Sequence, residues 1–519
     1  MKKNNHKKTA MKILPAITLF LFALLVRLYL FQGFVLGDDA QEFHAAKYIL
    51  YNGPDLNDPL HVRFGVWIFN VLSFRLFGIS EFSFFLPTLI ISSTFGVIGY
   101  SLLCIWKYPK KHAFLAGLFI ASAPFEILIG TLRANDLIFS WFLALALFSF
   151  FVFSKKPVIQ GVLIGLFLWL AFYVKLWAVY LFPFFGIYYL NQIIKYNKRQ
   201  GFASFSLSTI FFHSITSIIW KIKLGTLFPF LYKYSATYPV PSEQIPFLFQ
   251  IYPKMILFGS EFGTTLFGII PYLLFMLLAV KLILSRKNLI KFDKIDIFLL
   301  AYYGSFFVLI NFFPDTFKFD QYYSVPRIFR YLTPLSFPML LHIAKTILDF
   351  SKINLKTLMV KKYLFVIIFA LLILANIYQA GEATRPGRLY RETLFSIIND
   401  IENYSPPALL TEFWLGFFMR ELYLKDRGIN VVPIYNINDA RDYEIWLKEN
   451  QYHLLEGTML ITGLGSYTHY GCHSCGFRLR LFRNSLDANW KLFKDYGVLS
   501  YLSSQEHVRL WYWSQRGEN

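Results

Sequence analysis

The chain is built from apolar runs of the length that crosses a lipid bilayer. A spanning helix needs about 20 mostly apolar residues. Such runs lie near 13–32, 84–105, 112–129, 135–153, 158–173, 175–191, 203–220, 264–284, 295–313, 331–348 and 361–379. With 56% hydrophobic residues over the whole chain, the composition is that of a membrane protein and not of a soluble globule. The pattern predicts an α-helical polytopic membrane protein with about eleven spans.

The basic residues lie mainly between these runs. Counting alternately from an inside amino terminus, every inside loop is basic: Lys107/Lys110/Lys111, Lys155/Lys156, Lys195/Lys198/Arg199, Arg286/Lys287/Lys291/Lys294 and Lys352/Lys356/Lys361/Lys362. Positive charge on one side is how membrane proteins fix their orientation, so it explains the net charge of +20 without nucleic acid. The lysines before the first run resemble a signal peptide, but the run is long and no cleavage site follows. We therefore predict an uncleaved first helix, a cytoplasmic amino terminus and a bacterial inner (plasma) membrane.

The segments predicted to lie outside differ from the basic loops. Residues 33–82, 224–263 and 314–330 are long, aromatic and rich in proline. Long loops on one face usually carry function, which places the active face on the extracytoplasmic side. Within the first of them, Val62 to Phe77 is apolar but short, which is typical of an interfacial or re-entrant helix.

From about residue 381 the composition becomes that of a soluble domain. Ala408–Phe413, Asn430–Ile434 and Thr458–Thr462 are predicted strands, and Leu415–Lys425 and Asp439–Asn450 are predicted helices. The alternation indicates a small α/β unit. We therefore predict a membrane domain over 1–380 and an extracytoplasmic (periplasmic) soluble α/β domain over 381–519.

Two adjacent carboxylates, Asp38 and Asp39, follow the first span. Acidic residues are costly inside a bilayer and permitted at its edge, so they point to chemistry or binding at the membrane surface. The alternative is that they cap the helix that follows. Successive residues cannot share one helix face, so the two carboxylates can take different roles.

A further carboxylate, Asp136, ends the segment Arg133-Ala-Asn-Asp136 at the outer mouth of two spans. Asp136 could join Asp38 and Asp39 around one cavity. The alternative reading is a helix cap beside an interfacial Arg133.

Several cations and aromatic residues are predicted on the same side. They include His61, Arg63, Lys175, Arg327 and Arg330. Each by itself is explained as an interfacial residue, but together they suit a phosphate-bearing lipid because Arg and Lys form charge-assisted bonds to phosphate. Outer tyrosines such as Tyr232 and Tyr331 could stack on a sugar or belong to the interfacial aromatic belt. Together with His61 they are the predicted acceptor- or sugar-binding residues.

The order and spacing of several short motifs resemble a known family. The motifs are Gly37-Asp38-Asp39-Ala40, Leu76-Phe77-Gly78-Ile79-Ser80-Glu81, Arg133-Ala-Asn-Asp136, Tyr173-Val-Lys175, Thr226-Leu-Phe-Pro229 and Arg330-Tyr331-Leu-Thr-Pro334. This arrangement resembles GT-C glycosyltransferases, and more narrowly the branch of protein O-mannosyltransferases and aminoarabinose transferases. The motifs span roughly residues 34–340, and the last third of the chain is not matched.

The resemblance implies transfer of a sugar from a polyprenyl-phosphate donor to a glycan, lipid or protein acceptor on the outer face, with inversion. By position, Asp38 would be the general base and Asp136 the second acidic residue, while Lys175 and Arg330 would hold the donor phosphate with the help of Arg63, Arg133 and Arg327. Asp39 stands where the nearest branches usually carry Glu. One base and positive charge suffice for this chemistry. No cofactor is required, although a divalent cation near Asp39 and Asp136 could add charge.

Two other features leave alternatives open. Cys472 and Cys475 form one C-x-x-C beside His469 and His473, for which a disulfide is favoured over a zinc site or free thiols. The rival functions are a transporter or flippase of lipid-linked glycans and a non-catalytic membrane scaffold. A transporter would be favoured by charges in the middle of spans, and the predicted spans hold few.

Overall fold

The computed structural model describes residues 2–34, 37–55, 58–132, 134–227, 242–258, 270–313, 329–352, 361–425, 427–434, 455–462, 490–498 and 507–514. The described helices are α1 (Lys2–Tyr29), α2 (Gly37–Asn52), α3 (Pro59–Val62), α4 (Phe64–Phe77), α5 (Glu81–Ile105), α6 (Lys110–Ala121), α7 (Pro124–Thr131), α8 (Asn135–Val152), α9 (Pro157–Phe172), α10 (Leu181–Tyr196), α11 (Arg199–Leu224), α12 (Ile245–Phe258), α13 (Ile270–Arg286), α14 (Lys294–Phe312), α15 (Thr333–Phe350), α16 (Lys361–Tyr404) and α17 (Phe413–Phe418). Short 3-10 helices cover Leu176–Tyr180, Ser242–Gln244 and Phe329–Leu332.

The predicted class, a helical polytopic membrane protein, is confirmed. Among the described residues, six helices are long and apolar enough to cross a bilayer, or seven if the bent pair α6 and α7 counts as one span. Each of the eleven predicted runs overlaps a described helix, but several of these helices are shorter or more polar than a full span. The count of eleven therefore stays a prediction.

The bend between α6 and α7 has a clear local cause. Pro124 begins α7 and lacks a backbone N–H, so one helix cannot run through the junction. The fully buried Arg27 side chain donates from Nη1 to the carbonyl of Ala121, at 3.0 Å, where α6 ends. A carbonyl left free by the break therefore has a hydrogen-bond partner inside the helix bundle.

A buried ionic network joins α13, α14 and α15. Lys281 Nζ donates to Asp296 Oδ1 and to Asp349 Oδ2, both at 2.7 Å. Lys345 Nζ donates to the same two oxygens at 2.8 and 2.9 Å. Tyr108 contributes a hydroxyl to Asp349 Oδ1 at 2.6 Å. Because each of these charges is paired, the three helix ends can be held together without an isolated charge in the bundle.

The carboxy-terminal part contains a five-stranded mixed sheet. Its strands are β1 (Ala408–Glu412), β2 (Asn430–Ile434), β3 (Met459–Thr462), β4 (Trp490–Val498) and β5 (His507–Trp513), in the order β2-β1-β3-β5-β4. β1 pairs in parallel with β2 and β3, whereas β3 with β5 and β5 with β4 are antiparallel. The three predicted strands and the α/β character are confirmed, while the predicted helix over Asp439–Asn450 lies outside the described residues.

The chain divides into two compact units by contact. The first comprises Met1–Leu30, Tyr48–Ser73 and Phe85–Ala383, and the second comprises Phe31–Lys47, Phe74–Phe84 and Thr384–Asn519. The second unit therefore adds two segments from the predicted first outer loop to the carboxy-terminal region. The simple division at residue 380 stays a prediction.

Candidate functional site

Asp136 stands in the first turn of α8, which begins at Asn135. Ala134 precedes the helix and supplies no side-chain cap. A carboxylate in the first turn complements the free N–H groups and the positive end of the helix dipole. The side chain is almost completely buried, with 1% of its surface exposed. A buried charge of this kind requires a partner.

Lys175 is that partner. It lies in the break between α9 and the 3-10 helix Leu176–Tyr180, where its backbone is extended. Its Nζ atom lies 2.6 Å from Oδ1 of Asp136. Burial lowers the pKa of Lys175 to about 8, and the charges of Arg330 and Arg63 act in the same direction, while Asp136 opposes them. Lys175 is thus a cation in a site that already holds other positive charge.

Arg330 approaches the same carboxylate from a third element. It lies in the 3-10 helix Phe329–Leu332 just before α15, and its Nε atom is 3.7 Å from Oδ2 of Asp136. Its neighbour Tyr331 places its ring 4.0 Å from Lys175 Nζ, and the ring of Trp177 lies 4.8 Å from the same atom. The two rings meet edge-on, with centroids 4.1 Å apart. They form an aromatic wall beside the ammonium group.

The balance of charge determines what this site can bind. Lys175 and Arg330 lie within ion-pair distance of Asp136, and the charge of Arg63 also acts on Lys175. These cations suit an anion with several oxygens, because guanidinium and ammonium groups form charge-assisted hydrogen bonds to phosphate. The aromatic wall suits an apolar or sugar surface next to that anion.

Two side-chain hydrogen bonds hold the elements of the site together. Ser140 Oγ, on α8, donates to the carbonyl of Thr333 at 3.3 Å. Ser336 Oγ, on α15, donates to Oε2 of the buried Glu126 at 2.9 Å. These bonds link α7 and α8 to the start of α15. They thereby fix Asp136 relative to Arg330.

The predicted carboxylates Asp38 and Asp39 both lie in the first turn of α2. Asp39 is completely buried. The Asp38 side chain lies outside the described residues, as do Arg133, Tyr232, Arg327 and the Cys472/Cys475 pair. The roles predicted for all of them stay predictions, as does a single cavity shared by Asp38, Asp39 and Asp136.

The predicted sugar-binding residue His61 serves the fold of its own loop. Its Nδ1 atom accepts a hydrogen bond from the Asp55 backbone N–H at 3.0 Å, and its ring stacks on Tyr48 with centroids 5.3 Å apart. Only 4% of its surface is exposed. A direct contact with a sugar would require these interactions to open, so its sugar-binding role stays a prediction.

The acidic cluster with metal-ligand spacing lies elsewhere. Asp293, Asp296 and Asp349 are the group among the described residues whose oxygens lie close enough together to hold a cation. The ammonium groups of Lys281 and Lys345 already bond to the same oxygens of Asp296 and Asp349. This donor set is neutralised by lysine and does not resemble a metal centre. A divalent cation near Asp39 and Asp136 stays a prediction.

Two sets of buried charged residues among the described helices were not predicted from the sequence: Arg27 with Glu126, and the ionic network. His342 also belongs to the network, because its Nε2 atom lies 3.2 Å from Asp296 Oδ1. The network has a sequence signal, since His342, Lys345 and Asp349 follow one another at the spacing of one helix face. Arg27 and Glu126 are isolated in otherwise apolar runs, so no periodic pattern marks them.

Comparisons with known proteins bear on the fold. No model of a known protein family matches the sequence, and no curated protein matches it. The structure of ArnT from Cupriavidus metallidurans in the apo state matches 97% of this chain and 98% of its own, with a TM-score of 0.51 and 11% identity. ArnT bound to undecaprenyl phosphate matches the same shares with a TM-score of 0.47 and 12% identity. Arabinofuranosyltransferase AftD from Mycobacteria, solved by cryo-EM, matches 96% of this chain but 40% of its own, with a TM-score of 0.46 and 11% identity.

The match to apo ArnT shows that this chain has the GT-C fold, which confirms the fold predicted from the motifs. The match extends over nearly the whole chain. It therefore includes the last third, which the sequence motifs of the family do not cover. At this level of identity it establishes architecture alone.

Proposed function

We propose that this protein is an integral-membrane glycosyltransferase of the extracytoplasmic face. It transfers a hexosyl or pentosyl group from a polyprenyl-phosphate donor to a glycan, lipid or protein acceptor, with inversion at the anomeric carbon. The proposal rests above all on the arrangement of Lys175 and Arg330 around Asp136, with the wall formed by Trp177 and Tyr331.

This arrangement suits the leaving group of the reaction. When the acceptor oxygen attacks the anomeric carbon, the bond from that carbon to the phosphate oxygen breaks and the phosphate gains negative charge. Preorganised cations in a water-poor site stabilise such charge strongly. In this proposal Lys175, Arg330 and Arg63 receive the phosphate, and Tyr331 contacts the sugar or the first isoprene unit.

The acceptor hydroxyl must lose a proton as it attacks. We assign this role to Asp38, with Asp39 or Asp136 orienting the acceptor. Asp136 is less suited to be the base, because its carboxylate is engaged by Lys175 at 2.6 Å and by Arg330 at 3.7 Å.

The location of the site agrees with an extracytoplasmic active face. Arg330 precedes α15 and Asp349 lies near its other end. A helix rises 1.5 Å per residue, so Thr333, at the start of α15, and Asp349 are separated by roughly 24 Å along the axis. The loops beyond Asp349 and between α13 and α14 are the basic ones predicted to be cytoplasmic. This supports an Asp136 site on the extracytoplasmic side of the membrane and an amino terminus on the cytoplasmic side.

The test is sugar transfer by the purified protein in proteoliposomes. Donors with different labelled sugars on polyprenyl phosphate are supplied on the outer leaflet, and release of labelled sugar to acceptor or water is followed. We expect release with at least one donor and a loss of at least about 10-fold in Arg330→Ala, because a charge-assisted bond to phosphate contributes about 1.5–3 kcal/mol. Movement of the intact donor across the bilayer without release of its sugar would instead support a flippase function.

A further inference from the structure

Helix α2 carries the predicted base, and its first turns pack with the carboxy-terminal region inside the second unit. The ring of Phe34, just before α2, lies 4.0 Å from that of Phe418 on α17. Phe43, one turn after Asp39, meets Phe417 at 6.2 Å and Phe84 at 5.4 Å. Phe34, Phe43 and Phe84 are buried to 97% or more. The apolar face of this part of α2 therefore has its partner in α17 and in the start of α5.

An ion pair lies at the other end of the same segment. Lys47, on α2, forms a salt bridge with Glu421, which lies in the π-helical turn Met419–Tyr423 directly after α17. Burial would raise the pKa of Glu421, but the hydrogen bond and charge of Lys47, with a smaller effect of Arg420, lower it. The pair joins residues 374 positions apart in the sequence, so it fixes a tertiary contact and not a local turn.

A third contact holds the segment that precedes α2. Arg391, on α16, donates from Nη2 to Glu81 Oε2 at 3.0 Å. Gly33 lies against this pair with φ +73°, and a Cβ added there would collide with Glu81 and come within 2.9 Å of Arg391 Nε. The positive φ favours glycine at this position, and the ion pair lies close against it.

We propose that the carboxy-terminal region positions α2, with Glu421 and Phe418 as positioning residues for the base. The inference rests on the proposed function and extends it. Contacts at Gly33 and Phe34 precede Asp38, and contacts at Phe43 and Lys47 follow it, so the carboxylate pair stands between fixed points. Small displacements of a reacting group slow a reaction by large factors. The carboxy-terminal region is then part of the catalytic apparatus and not solely a module for recognising the acceptor.

A charge-reversal cycle tests this role. Lys47→Glu and Glu421→Lys are each expected to lower kcat for sugar transfer on the order of 10-fold or more, because α2 loses one fixed point. KM for the donor should change less than about twofold, because the phosphate site lies on other elements. The double variant Lys47→Glu/Glu421→Lys restores the opposite charges and should recover most of kcat. If the single variants lost activity only because they unfolded, the double variant would not regain it.

The matched control is the pair Arg427 and Glu402, an exposed ion pair of the same unit at 2.9 Å. Arg427→Glu should leave kcat unchanged. Unchanged kcat in Lys47→Glu and Glu421→Lys, or a double variant no better than the single ones, would overturn the proposal.

Hydrogen exchange separates this inference from the proposed function. The Glu421→Lys variant should exchange faster than the wild type at the amides of residues 37–47, and the double variant should reverse that change. This measurement requires no substrate, so it decides whether α2 is docked even if the wild type transfers no sugar. Equal exchange in Glu421→Lys and the wild type would overturn the docking itself.

Discussion

Lys175 Nζ lies 2.6 Å from Asp136 Oδ1, although the two residues come from different helix boundaries and lie 39 positions apart. The pair is buried, yet its positive member also faces two further cations. Several cationic side chains therefore act around one carboxylate, which is a property expected of a site that takes up an anion.

Neutralising Lys175 and neutralising Asp136 should have different effects on the affinity for polyprenyl phosphate. Lys175→Met removes a cation and should weaken binding of polyprenyl phosphate by roughly 10- to 150-fold, the equivalent of a charge-assisted hydrogen bond. Asp136→Asn removes the competing carboxylate and should leave that affinity at least equal to that of the wild type. Equilibrium binding of labelled polyprenyl phosphate to purified protein measures both. The exposed Lys198 is a suitable control, and equal weakening in Lys175→Met and Lys198→Met would contradict the assignment.

The pH dependence of donor affinity should report Lys175. Burial lowers its pKa to about 8, so its positive charge is present below that pH and is lost as the pH rises through it. KM for the donor should therefore increase above about pH 8. Arginine stays charged in this range, so Lys175→Arg should move the rise to higher pH. A KM profile that is identical in the wild type and Lys175→Arg would show that another group titrates.

The aromatic wall should act through its ring and not through its hydroxyl. Tyr331 faces Lys175 Nζ at 4.0 Å, and a cation–π contact contributes about 0.5–2 kcal/mol. Tyr331→Ala should weaken donor affinity by about 2- to 30-fold, whereas Tyr331→Phe keeps the ring and should stay within about twofold of the wild type. If Tyr331→Phe fell as far as Tyr331→Ala, a hydrogen bond of the hydroxyl would be the correct explanation.

The buried ionic network should matter for stability and not for donor binding. Lys345 bonds to Asp296 and Asp349 and is completely buried, so Lys345→Met leaves buried carboxylates short of a partner. The expected loss in the free energy of unfolding is about 3–5 kcal/mol. Lys352 contacts Asp349 at 3.0 Å from a position that is 59% exposed, and Lys352→Met should cost about 1 kcal/mol or less. Thermal unfolding in detergent distinguishes the two, and equal shifts would contradict the distinction.

The sequence predicted the fold well where apolar length and motif order carry the information. The helical membrane class, the GT-C fold and three strands of the carboxy-terminal sheet are confirmed. β4 and β5 escaped prediction. β4 places Lys491, Lys494 and Asp495 among its apolar residues, and two register shifts interrupt the alternation. Pairing with β5, and not the local pattern, makes this segment a strand.

The candidate site was predictable as a set of residue types but not as an arrangement. The sequence placed Lys175, Arg330 and Asp136 on the outer side, since each stands at the edge of an apolar run. That they meet depends on packing of α8, α9 and α15, which no local pattern specifies. The ion pair of Lys47 with Glu421 could not be predicted from the sequence, because the two residues are 374 positions apart. In its local sequence, each is typical of a charged residue on a protein surface.

The proposed function is tested most directly by the rate of sugar transfer in Asp38→Asn. The substitution removes one proton-accepting group at nearly constant volume, so the membrane yield and thermal unfolding midpoint should match the wild type. With a donor that the wild type uses, we expect the rate to fall by about 10²- to 10⁴-fold, the usual contribution of a general base, while polyprenyl phosphate still binds. Transfer at the wild-type rate in Asp38→Asn would contradict the assignment of the base.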